Sequence, residues 1–489
     1  MKLNQYPNLD KADWIFANTF EALEGERRVH VVVLPYPSQG HINPLLQFAK
    51  RLASKGVKAT LATTTYTLNS IRVQNVGVEP ISDGFDEAGF AQAADEDTFL
   101  RSFKTNGSRT LSQLLQKYES SDFPVSCIVY DSFLPWALDV AKKHGVYGAS
   151  FFTNSATVCV IFSHIHRGLI SLPCKLEDMP LLVPGLPPLN LPDLPSFLKK
   201  PDSNPAYLKM KLNQYPNLDK ADWIFANTFE ALEGEASRGI SELWPVKSIG
   251  PMVPSAYLDG KIKGDRGYGA SLWKPLGEEC AKWLEQKLPK SVVYVSFGSM
   301  VSLTAKQMEE LALGLKESGL YFMWVIRESE RSKLFDGIVD SAKEQGLFVT
   351  WCNQLEALAH EAVGCFVTHC GWNSILEGLS LGVPMVAVPQ WADQLTNAKF
   401  VEEIWEVGVR AKEDEEGVVR KEEFIGCLKE VMEGERSKDI KKNSSKWRAM
   451  AKKEFSEGGS SNKSIGDFVE HLRLANKNGE AKEFMNGTN

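Results

Sequence analysis

Apolar runs alternate with amphipathic stretches along the chain from Arg27 onward. The run VHVVVLPYP (29–37) is continuously apolar, as in a parallel strand that is buried on both faces. In the turn that follows, Asn43 and Pro44 suit a helix cap and a first helical position, and the helical pattern ends at Gly56. Later runs, VKATLATT, VSCIVYD, YGASFFT and ADWIFAN, predict further strands of this half. The alternation predicts a doubly wound parallel sheet with right-handed crossovers.

A second α/β series follows a stretch rich in Gly, Pro and charge, GPMVPSAYLDGKIKGDRGYGASLW (250–273), which lacks periodicity. The runs SVVYVSFGS, YFMWVIR, LFVTWC, CFVTHCG and VPMVAVP predict its strands. The sequence Thr-Ala-Lys-Gln at 304–307 is a capping-box pattern that opens a helix. We therefore predict two Rossmann-like doubly wound α/β domains that face a ligand-binding cleft.

Domain boundaries follow from these changes in pattern. We predict an N-terminal domain at 27–250, a linker at 251–273, a C-terminal domain at 274–455, a last helix at 456–475 and a tail at 476–489.

Residues 1–26 recur without a difference at 210–235. The second copy continues an α/β pattern, so we interpret 1–26 as an extra tail, from a recent duplication, a gene-prediction error or a cloning artefact. In a less favoured alternative, its WIFANTF competes with Trp223–Phe229 for a place in the sheet.

Composition narrows the classes of function. A length of 489 residues suits two domains of about 200 residues each. The net charge is −7 without a basic block, which argues against a nucleic-acid partner. No apolar run reaches the roughly 18 residues of a membrane span, and the polar N-terminal segment lacks the apolar core of a signal peptide. Eight scattered cysteines predict reduced thiols in a cytoplasmic protein.

Metal-ligand spacing is not evident in the sequence. Cys365 and Cys370 are close but lack further ligands, and the acidic run at 95–97 has the polar surroundings of a solvated loop. We therefore expect no metal and no cofactor.

The segment from Trp351 to Gln394 carries the densest set of candidate functional side chains. A strand that stops at a Gly, followed by Trp-Asn-Ser and a helical pattern, places unpaired N–H groups at a helix N-terminus, which suits an anion. Polar residues follow the strand ends or lie in the first helical turn: His369, Asn373, Ser374, Glu377, Asp393 and Gln394. Because sites in parallel sheets form at those ends, we predict a site for a phosphate-containing ligand with hydroxyl-binding groups around it.

This segment resembles the signature box of plant secondary-product glycosyltransferases, which transfer a sugar from a uridine-diphosphate (UDP) donor to a small acceptor. The matching positions are Trp351, Gln354, His360, Gly364, the block THCGWNS, Glu377, Gly382-Val383-Pro384 and Asp393-Gln394. The resemblance extends over Val29–Leu474. It implies the two-domain glycosyltransferase-B fold, with a last helix at Ser461–Leu474 that crosses back to the first domain.

The resemblance also assigns roles within the donor site. It places Trp351 and the backbone of Cys352 on uracil, Glu377 on the ribose hydroxyls, His369, Asn373 and Ser374 on the diphosphate, and Trp372, Asp393 and Gln394 on the sugar. A closing Gln is usually associated with glucose. Ser38 in the first turn, Ser299 in the SFGSM turn and Gln354 complete the predicted donor contacts.

A base is needed to activate an acceptor hydroxyl, and histidine titrates near neutrality. His41 follows the first strand in YPSQGHINP. A lone histidine is more often structural, but the resemblance implies that a QGHxxP turn carries the catalytic base. It further implies that Asp131 is the partner acid that fixes the imidazole tautomer. Alternatively, Asp131 caps the following helix. The predicted reaction is a direct, metal-independent displacement that inverts the anomeric carbon, with UDP-glucose as co-substrate and a β-glucoside as product.

Aromatic residues of the first domain, with one from the second, predict a pocket for a small hydrophobic acceptor: Phe133, Trp136, Phe151, Phe152, Phe162 and Trp391. The acceptor oxygen, on a phenol, a carboxylic acid or a terpenoid alcohol, stays open. The resemblance favours the branch that acts on benzoate-type and auxin-like acids and on terpenoids. Two alternatives remain: another donor such as UDP-galactose, or a UDP-binding protein inactivated by the N-terminal duplication. A dinucleotide oxidoreductase is disfavoured because GxGxxG is absent. We expect a monomer.

Overall fold

The computed structural model describes residues 29–271, 276–335 and 337–486, with side chains as far as 476. The predicted extra tail at 1–26 lies outside the described residues, as do 272–275, where the predicted linker meets the predicted C-terminal domain. No helix in the described ranges has the length and apolar character needed to cross a membrane.

A parallel sheet of seven strands in the order β3-β2-β1-β4-β5-β6-β7 forms the first domain. Its strands are β1 His30–Leu34, β2 Lys58–Thr64, β3 Gly77–Ile81, β4 Cys127–Asp131, β5 Tyr147–Phe152, β6 Trp223–Ala226 and β7 Val246–Ser248. The chain reverses direction across the sheet between β1 and β4, so a crevice opens at the carboxyl ends of these two strands.

A parallel sheet of six strands in the order β10-β9-β8-β11-β12-β13 forms the second domain. Its strands are β8 Val292–Ser296, β9 Tyr321–Val325, β10 Gly346–Val349, β11 Val363–Thr368, β12 Met385–Ala387 and β13 Gly408–Arg410. The equivalent reversal lies between β8 and β11. The predicted pair of doubly wound α/β domains is therefore confirmed.

Helices cover both faces of each sheet. Those of the first half are α1 Gln39–Ser54, α2 Thr65–Leu68, α3 Glu96–Glu119, α4 Trp136–Lys143, α5 Ala156–His166, α6 Ser196–Lys199, α7 Pro205–Leu212 and α8 Glu230–Ser241. Those of the second half are α9 Gly277–Leu284, α10 Ala305–Ser318, α11 Ile338–Ala342, α12 Gln354–Ala359, α13 Trp372–Leu381, α14 Gln394–Lys399, α15 Lys421–Met432, α16 Ser437–Phe455 and α17 Ser460–Asn486. A π-helical turn, Phe400–Ile404, follows α14.

Helix α1 begins earlier than its sequence predicts. Its first residue is Gln39 and its N-cap is Ser38, so Pro44 lies inside the helix instead of opening it. A proline inside a helix leaves the carbonyl four residues before it, here that of Gly40, without its usual N–H donor. The side chain of Asn373 donates to that carbonyl oxygen at 2.6 Å, which offsets the loss. As a result, His41 lies in the first turn of a helix and not in a loop.

The last helix, α17, returns to the first domain. The Phe468 ring packs against Trp223 and Phe225, with ring centroids 5.0 and 5.1 Å away. The Ser461 hydroxyl donates to the Gly250 carbonyl at 2.6 Å, and Arg473 donates to the Lys55 carbonyl at 2.9 Å. These contacts hold the two domains around one cleft.

Candidate active site

A cavity of about 690 Å³ lies between the two domains, at the carboxyl ends of the central strands of both sheets. All of the predicted donor-site residues border it, and so do His41 and Trp391. Further wall residues, which the sequence reasoning missed, are Gln39, Thr153, Asn154, Tyr207 and the linker loop 267–271. Residues that are far apart in the chain thus meet at one site.

His41 and Asp131 form a hydrogen-bonded pair beside this cavity. The distance from His41 Nδ1 to Asp131 Oδ2 is 2.6 Å, and the carboxylate is fully buried. Since a carboxylate only accepts, Nδ1 carries the proton and Nε2 keeps its lone pair. The other carboxylate oxygen accepts from the Phe133 amide at 3.0 Å. Asp131 therefore closes a turn ahead of helix α4, which has Pro135 as its N-cap, while it also orients the imidazole.

Neighbouring groups hold the imidazole in place. The Thr153 hydroxyl lies 3.1 Å from Nδ1, and the Phe133 and Tyr36 rings lie 4.7 and 5.4 Å from the imidazole by centroid distance. Thr153 comes directly after strand β5. Polar residues directly after parallel strands were used above to predict the donor site. The same criterion, applied to β5, identifies Thr153 and Asn154.

The N-terminus of helix α13 faces the cavity with unpaired donors. Its N-cap is Gly371, which has no side chain to cap the N–H groups of the first turn. The preceding Cys370 has φ of 64°, a left-handed conformation that turns the chain sharply between β11 and α13. Free first-turn N–H groups and the helix dipole make this end of α13 suitable for a phosphate.

His369 lies between two glycine turns at this end of the cavity. A Cβ on Gly298 would stand 2.8 Å from His369 Cε1, so only glycine fits there, and the φ of +70° also favours it. Burial lowers the pKa of His369 to about 4, so the ring is neutral at physiological pH. The ring interacts with the Ser296 backbone, and the partly exposed residue borders the cavity. The neutral ring can thus supply one polar contact to a ligand.

Arg327 supports the turn that carries Ser299. It donates to the carbonyl oxygens of Gly298 at 3.4 Å and Val301 at 2.5 Å. The arginine therefore braces this turn from behind, and Ser299 borders the cavity in front of it.

Glu377 lies in α13 and is held by two donors. Gln354 Nε2 donates to one carboxylate oxygen at 2.7 Å, and the Tyr268 hydroxyl donates to the other at 2.9 Å. Burial raises the pKa of Glu377 to about 7, while these two hydrogen bonds act in the opposite direction. Tyr268 belongs to the linker, so it places the linker over the second domain, a contact that the sequence pattern did not indicate.

Two residues of the THCGWNS block contact the first domain. The Trp372 indole N–H donates to the Asn227 carbonyl at 2.7 Å, and the Asn373 amide donates to the Gly40 carbonyl. The indole N–H is thus used at the domain interface, while the residue also borders the cavity, and its sugar contact stays a prediction. Ser374 accepts from Gln354 at 3.2 Å and stays on the cavity side.

Asp393 and Gln394 open helix α14 at the far end of the cavity. Gln394 Oε1 accepts from the backbone amides of Gln390 and Trp391 at 3.0 and 3.2 Å. This fixes the amide so that its Nε2 donor is left for a ligand. The Asp393 carboxylate accepts from Asn397 Nδ2 at 3.0 Å.

The uracil end of the cavity is formed by Trp351 and Cys352. The Trp351 ring is partly buried, and its carbonyl accepts from the Leu276 amide at 2.9 Å. The Cys352 thiol is buried 3.2 Å from the Tyr294 hydroxyl, so the backbone of this residue is the part available to a ligand.

The structure corrects the predicted acceptor pocket. Four of its aromatics are at most 7% exposed and lie in the hydrophobic core, away from the cavity wall: Trp136, Phe151, Phe152 and Phe162. Phe151 and Phe152 end strand β5, where successive side chains point to opposite faces, and helices cover both faces of this sheet. Trp136 packs against Phe103 under helix α3. Phe162 lies on α5 and is enclosed in the core beneath it.

Aromatics at the acceptor end form a different set. Phe133 stays beside His41, and Tyr207 lies between Phe133 and Trp391, with ring centroids 6.1 and 5.2 Å away. Tyr207 and Trp391 thus form an apolar wall at the acceptor end, and the buried Phe133 ring lies behind it against the histidine.

Groups of three or more His, Cys, Asp or Glu that could hold a metal ion are absent from the described ranges.

Two segments of the chain match known protein families. Residues 27–83 match the glycosyltransferase N-terminal domain family, and residues 240–449 match the family described as UDP-glucoronosyl and UDP-glucosyl transferase.

Individual proteins are similar over almost the whole chain. UDP-glycosyltransferase 74B1 of Arabidopsis thaliana is 53% identical over 448 residues, 91% of this chain and 97% of that protein. A flavonol 7-O-beta-glucosyltransferase of the same plant is 46% identical over 456 residues, 91% and 99% of the two chains. The crystal structure of Os79 from O. sativa in complex with UDP has a TM-score of 0.87 at 39% identity, and the match covers 90% of this chain and 100% of Os79.

Proposed function

The chain belongs to the plant UDP-glycosyltransferases, and we propose that it transfers glucose from UDP-glucose, with inversion, to an oxygen of a small hydrophobic acceptor. One observation carries this proposal. The His41–Asp131 pair, 2.6 Å apart, borders the same cavity as the unpaired N-terminus of α13. A base and an anion site that share one cavity are what direct displacement from a sugar diphosphate needs.

The reaction begins when His41 Nε2 takes the proton of an acceptor hydroxyl. The oxygen attacks the anomeric carbon, and the bond from that carbon to the diphosphate breaks with its electron pair. One displacement turns an α-linked donor into a β-glucoside. The buried Asp131 carboxylate keeps the tautomer correct and stabilises the imidazolium that forms.

The departing UDP carries the negative charge. The first-turn N–H groups of α13 and the neutral His369 would bind the diphosphate, with Ser299, the residue after Gly298, on the wall of the same cavity. Glu377 would accept hydrogen bonds from ribose hydroxyls, and Trp351 would stack on uracil. In this proposal no metal takes part, because these groups already meet the leaving charge.

Glucose is the proposed sugar because Gln394 presents a fixed amide donor at the far end of the cavity. A relative at 46% identity is named as a glucosyltransferase, which supports the same choice. UDP-galactose is the alternative donor, and competition between the two donors decides between them.

The acceptor is proposed to be a phenol, a carboxylic acid or a terpenoid alcohol, bound against Phe133, Tyr207 and Trp391. The eight cysteines are all free, and a cytoplasmic monomer is part of the proposal. Sedimentation of the purified protein and imaging of a fluorescent fusion test these last two points.

The deciding experiment is a mass-spectrometric screen with UDP-glucose and EDTA against phenolic acids, flavonoids and terpenoid alcohols. His41→Ala is compared with His166→Ala, an exposed histidine on α5. We expect a hexose adduct that only His41→Ala loses on alcohol acceptors. An adduct that requires added metal contradicts the metal-independent route. UDP binding without transfer to any acceptor or to water supports the alternative of an inactive binding protein.

A further inference from the structure

We propose that Lys211 and Asn154 form an acceptor-side recognition pair that selects an acceptor whose reacting group is a carboxylate. The inference rests on the proposed function and narrows its acceptor class. Asn154 contacts the acceptor, and Lys211 is the positioning residue behind it.

Lys211 is a buried amine with no carboxylate in direct contact among the described residues. Its side chain lies on helix α7, and the residue is 2% exposed. It forms no ion pair with a carboxylate in the part of the chain that the structure describes. Asp393 and Asp131 face it at longer range, and the Asp131 carboxylate already binds His41. Burial lowers the pKa of Lys211, while Asp393 and Asp131 act in the opposite direction. An anionic ligand near Nζ would favour the protonated amine, which indicates a role beyond packing.

The contacts of Lys211 direct it toward the acceptor end of the cavity. Its Nζ lies 4.8 Å from the Phe133 ring centroid and 5.5 Å from that of Tyr207. These are the rings that line or support the space beside His41. Nζ also donates to Asn154 Oδ1 at 2.7 Å, and Asn154 borders the cavity.

This hydrogen bond fixes which way the Asn154 amide points. An ammonium can only donate, so the atom that it contacts must be the amide oxygen. The Nδ2 group on the other branch donates no hydrogen bond among the described residues. It is therefore available to a ligand oxygen, and the adjacent positive charge strengthens it as a donor.

The position of this donor matches one oxygen of a carboxylate. Asn154 and His41 border the same cavity, and the Phe133 ring beneath Lys211 Nζ lies 4.7 Å from the imidazole by centroid distance. A carboxylate with one oxygen at the reacting position near His41 would place its second oxygen toward Asn154. The negative charge of the acceptor would also supply the counter-charge that Lys211 lacks.

Transfer to a carboxylate needs no general base, because the acceptor is already deprotonated. A lone pair of the carboxylate oxygen attacks the anomeric carbon of UDP-glucose, and the new carbon–oxygen bond forms an ester. The bond to the diphosphate breaks, and UDP leaves with that electron pair. No proton is removed, so transfer to a carboxylate should survive the loss of His41 better than transfer to an alcohol.

Two probes with the same ring test the pair: benzoate, which is charged, and benzyl alcohol, which is neutral. Calorimetric titration of each probe into the full-length protein saturated with UDP gives two Kd values and their ratio. The variants are Lys211→Met, which removes the charge at similar length, Lys211→Arg, which keeps it, and Asn154→Asp. In Asn154→Asp, the new carboxylate can form an ion pair with Lys211, but it presents an oxygen to the ligand in place of the Nδ2 donor.

We expect the unsubstituted protein to bind benzoate more tightly than benzyl alcohol. Lys211→Met and Asn154→Asp should each reduce this discrimination by about tenfold or more, and Lys211→Arg should retain most of it. An equal loss for both probes, an unchanged ratio, or no initial preference for benzoate overturns the proposal.

Asn154→Asp keeps the test decisive if Lys211→Met does not fold, because it adds an ion pair. The affinity for UDP is measured separately, before the probes are added. A protein that does not bind UDP would reject the proposed function, and the two probe Kd values are then measured without UDP.

Discussion

The side-chain amide of Asn373 donates to the carbonyl oxygen of Gly40 at 2.6 Å, across the cleft between the two domains. That carbonyl lacks its usual helical donor because Pro44, four residues later, has no N–H. His41 is the next residue after Gly40. One hydrogen bond therefore links the helix that is placed to bind the diphosphate to the turn that carries the proposed base.

Asn373→Ala should weaken both functions of this link. We expect a loss of about 1 kcal/mol in the free energy of unfolding, from one unpaired carbonyl, and a reduction in kcat through displacement of His41. Thermal unfolding and steady-state kinetics with UDP-glucose measure the two effects.

The structure also supplies a rescue for this variant. Pro44→Ala returns an N–H to the helix, so the double variant should regain stability and part of kcat. Both the single and the double variant should bind UDP more weakly, because Asn373 is a predicted diphosphate contact. Simple additivity of the two substitutions would show that Asn373 and Pro44 are not coupled through the Gly40 carbonyl.

The sequence predicted the parts of this site that follow local rules. Polar residues after strand ends, such as His369 after β11, reach the cleft because parallel strands all end at one edge of the sheet. The start of α10 was also predicted, and the Thr304 hydroxyl accepts from the Gln307 amide at 3.1 Å. These features depend on a few neighbouring residues, so the sequence alone contains the needed information.

Features that depend on tertiary contacts were not predictable in the same way. The Gly40 carbonyl in the first turn of α1 accepts from a side chain of the other domain, a contact that the local sequence does not specify. Tyr268 reaches Glu377 from a linker without periodicity. The aromatic character of Phe151 was visible in the sequence, but whether it faced core or cavity depended on the helices that cover the sheet.

Asp131→Asn should change the tautomer of His41 without removing the ring. The amide can donate to Nδ1, which moves the imidazole proton to Nε2 and removes the lone pair that accepts the acceptor proton. By analogy with hydrolase triads, we expect kcat on an alcohol acceptor to fall by about 10³- to 10⁴-fold. Product formation from UDP-glucose measures it, and UDP affinity should change little. A fall of less than tenfold would argue against the base role of His41.

Gly298→Ala should disturb the diphosphate end through one contact. A Cβ there would lie 2.8 Å from His369 Cε1, in a backbone with φ of +70°. We expect UDP affinity to fall by about tenfold, from a loss near 1.4 kcal/mol. Gly417→Ala is the matched control, since its φ is +73° and nothing lies within 4 Å. Both variants carry similar backbone strain, so a similar loss of UDP affinity in both would exclude the His369 contact as the cause.

Glu377 should make stability fall as pH rises toward neutrality. Its pKa is raised by burial from 4.5 to about 7 in the folded protein, so the folded state keeps a proton that the unfolded state loses. Between these pH values the folded state binds more protons, and the free energy of unfolding decreases by at most about 3 kcal/mol. Urea unfolding at pH 5.0 and 7.5 measures the change. Glu377→Gln, which cannot titrate, should remove this part of the pH dependence.

The same ionisation should control binding of the nucleoside. Ribose hydroxyls donate to a carboxylate better than to a carboxylic acid, so uridine affinity should rise from pH 6 to 8. Uridine is the probe because it lacks a phosphate, which would itself titrate near pH 6. Tyr268→Phe removes a hydrogen bond to the carboxylate and should move the midpoint to higher pH. Glu377→Gln should bind uridine weakly at every pH. A pH profile that stays the same in both variants would show that another group titrates, and the proposed contact between Glu377 and ribose would have to be abandoned.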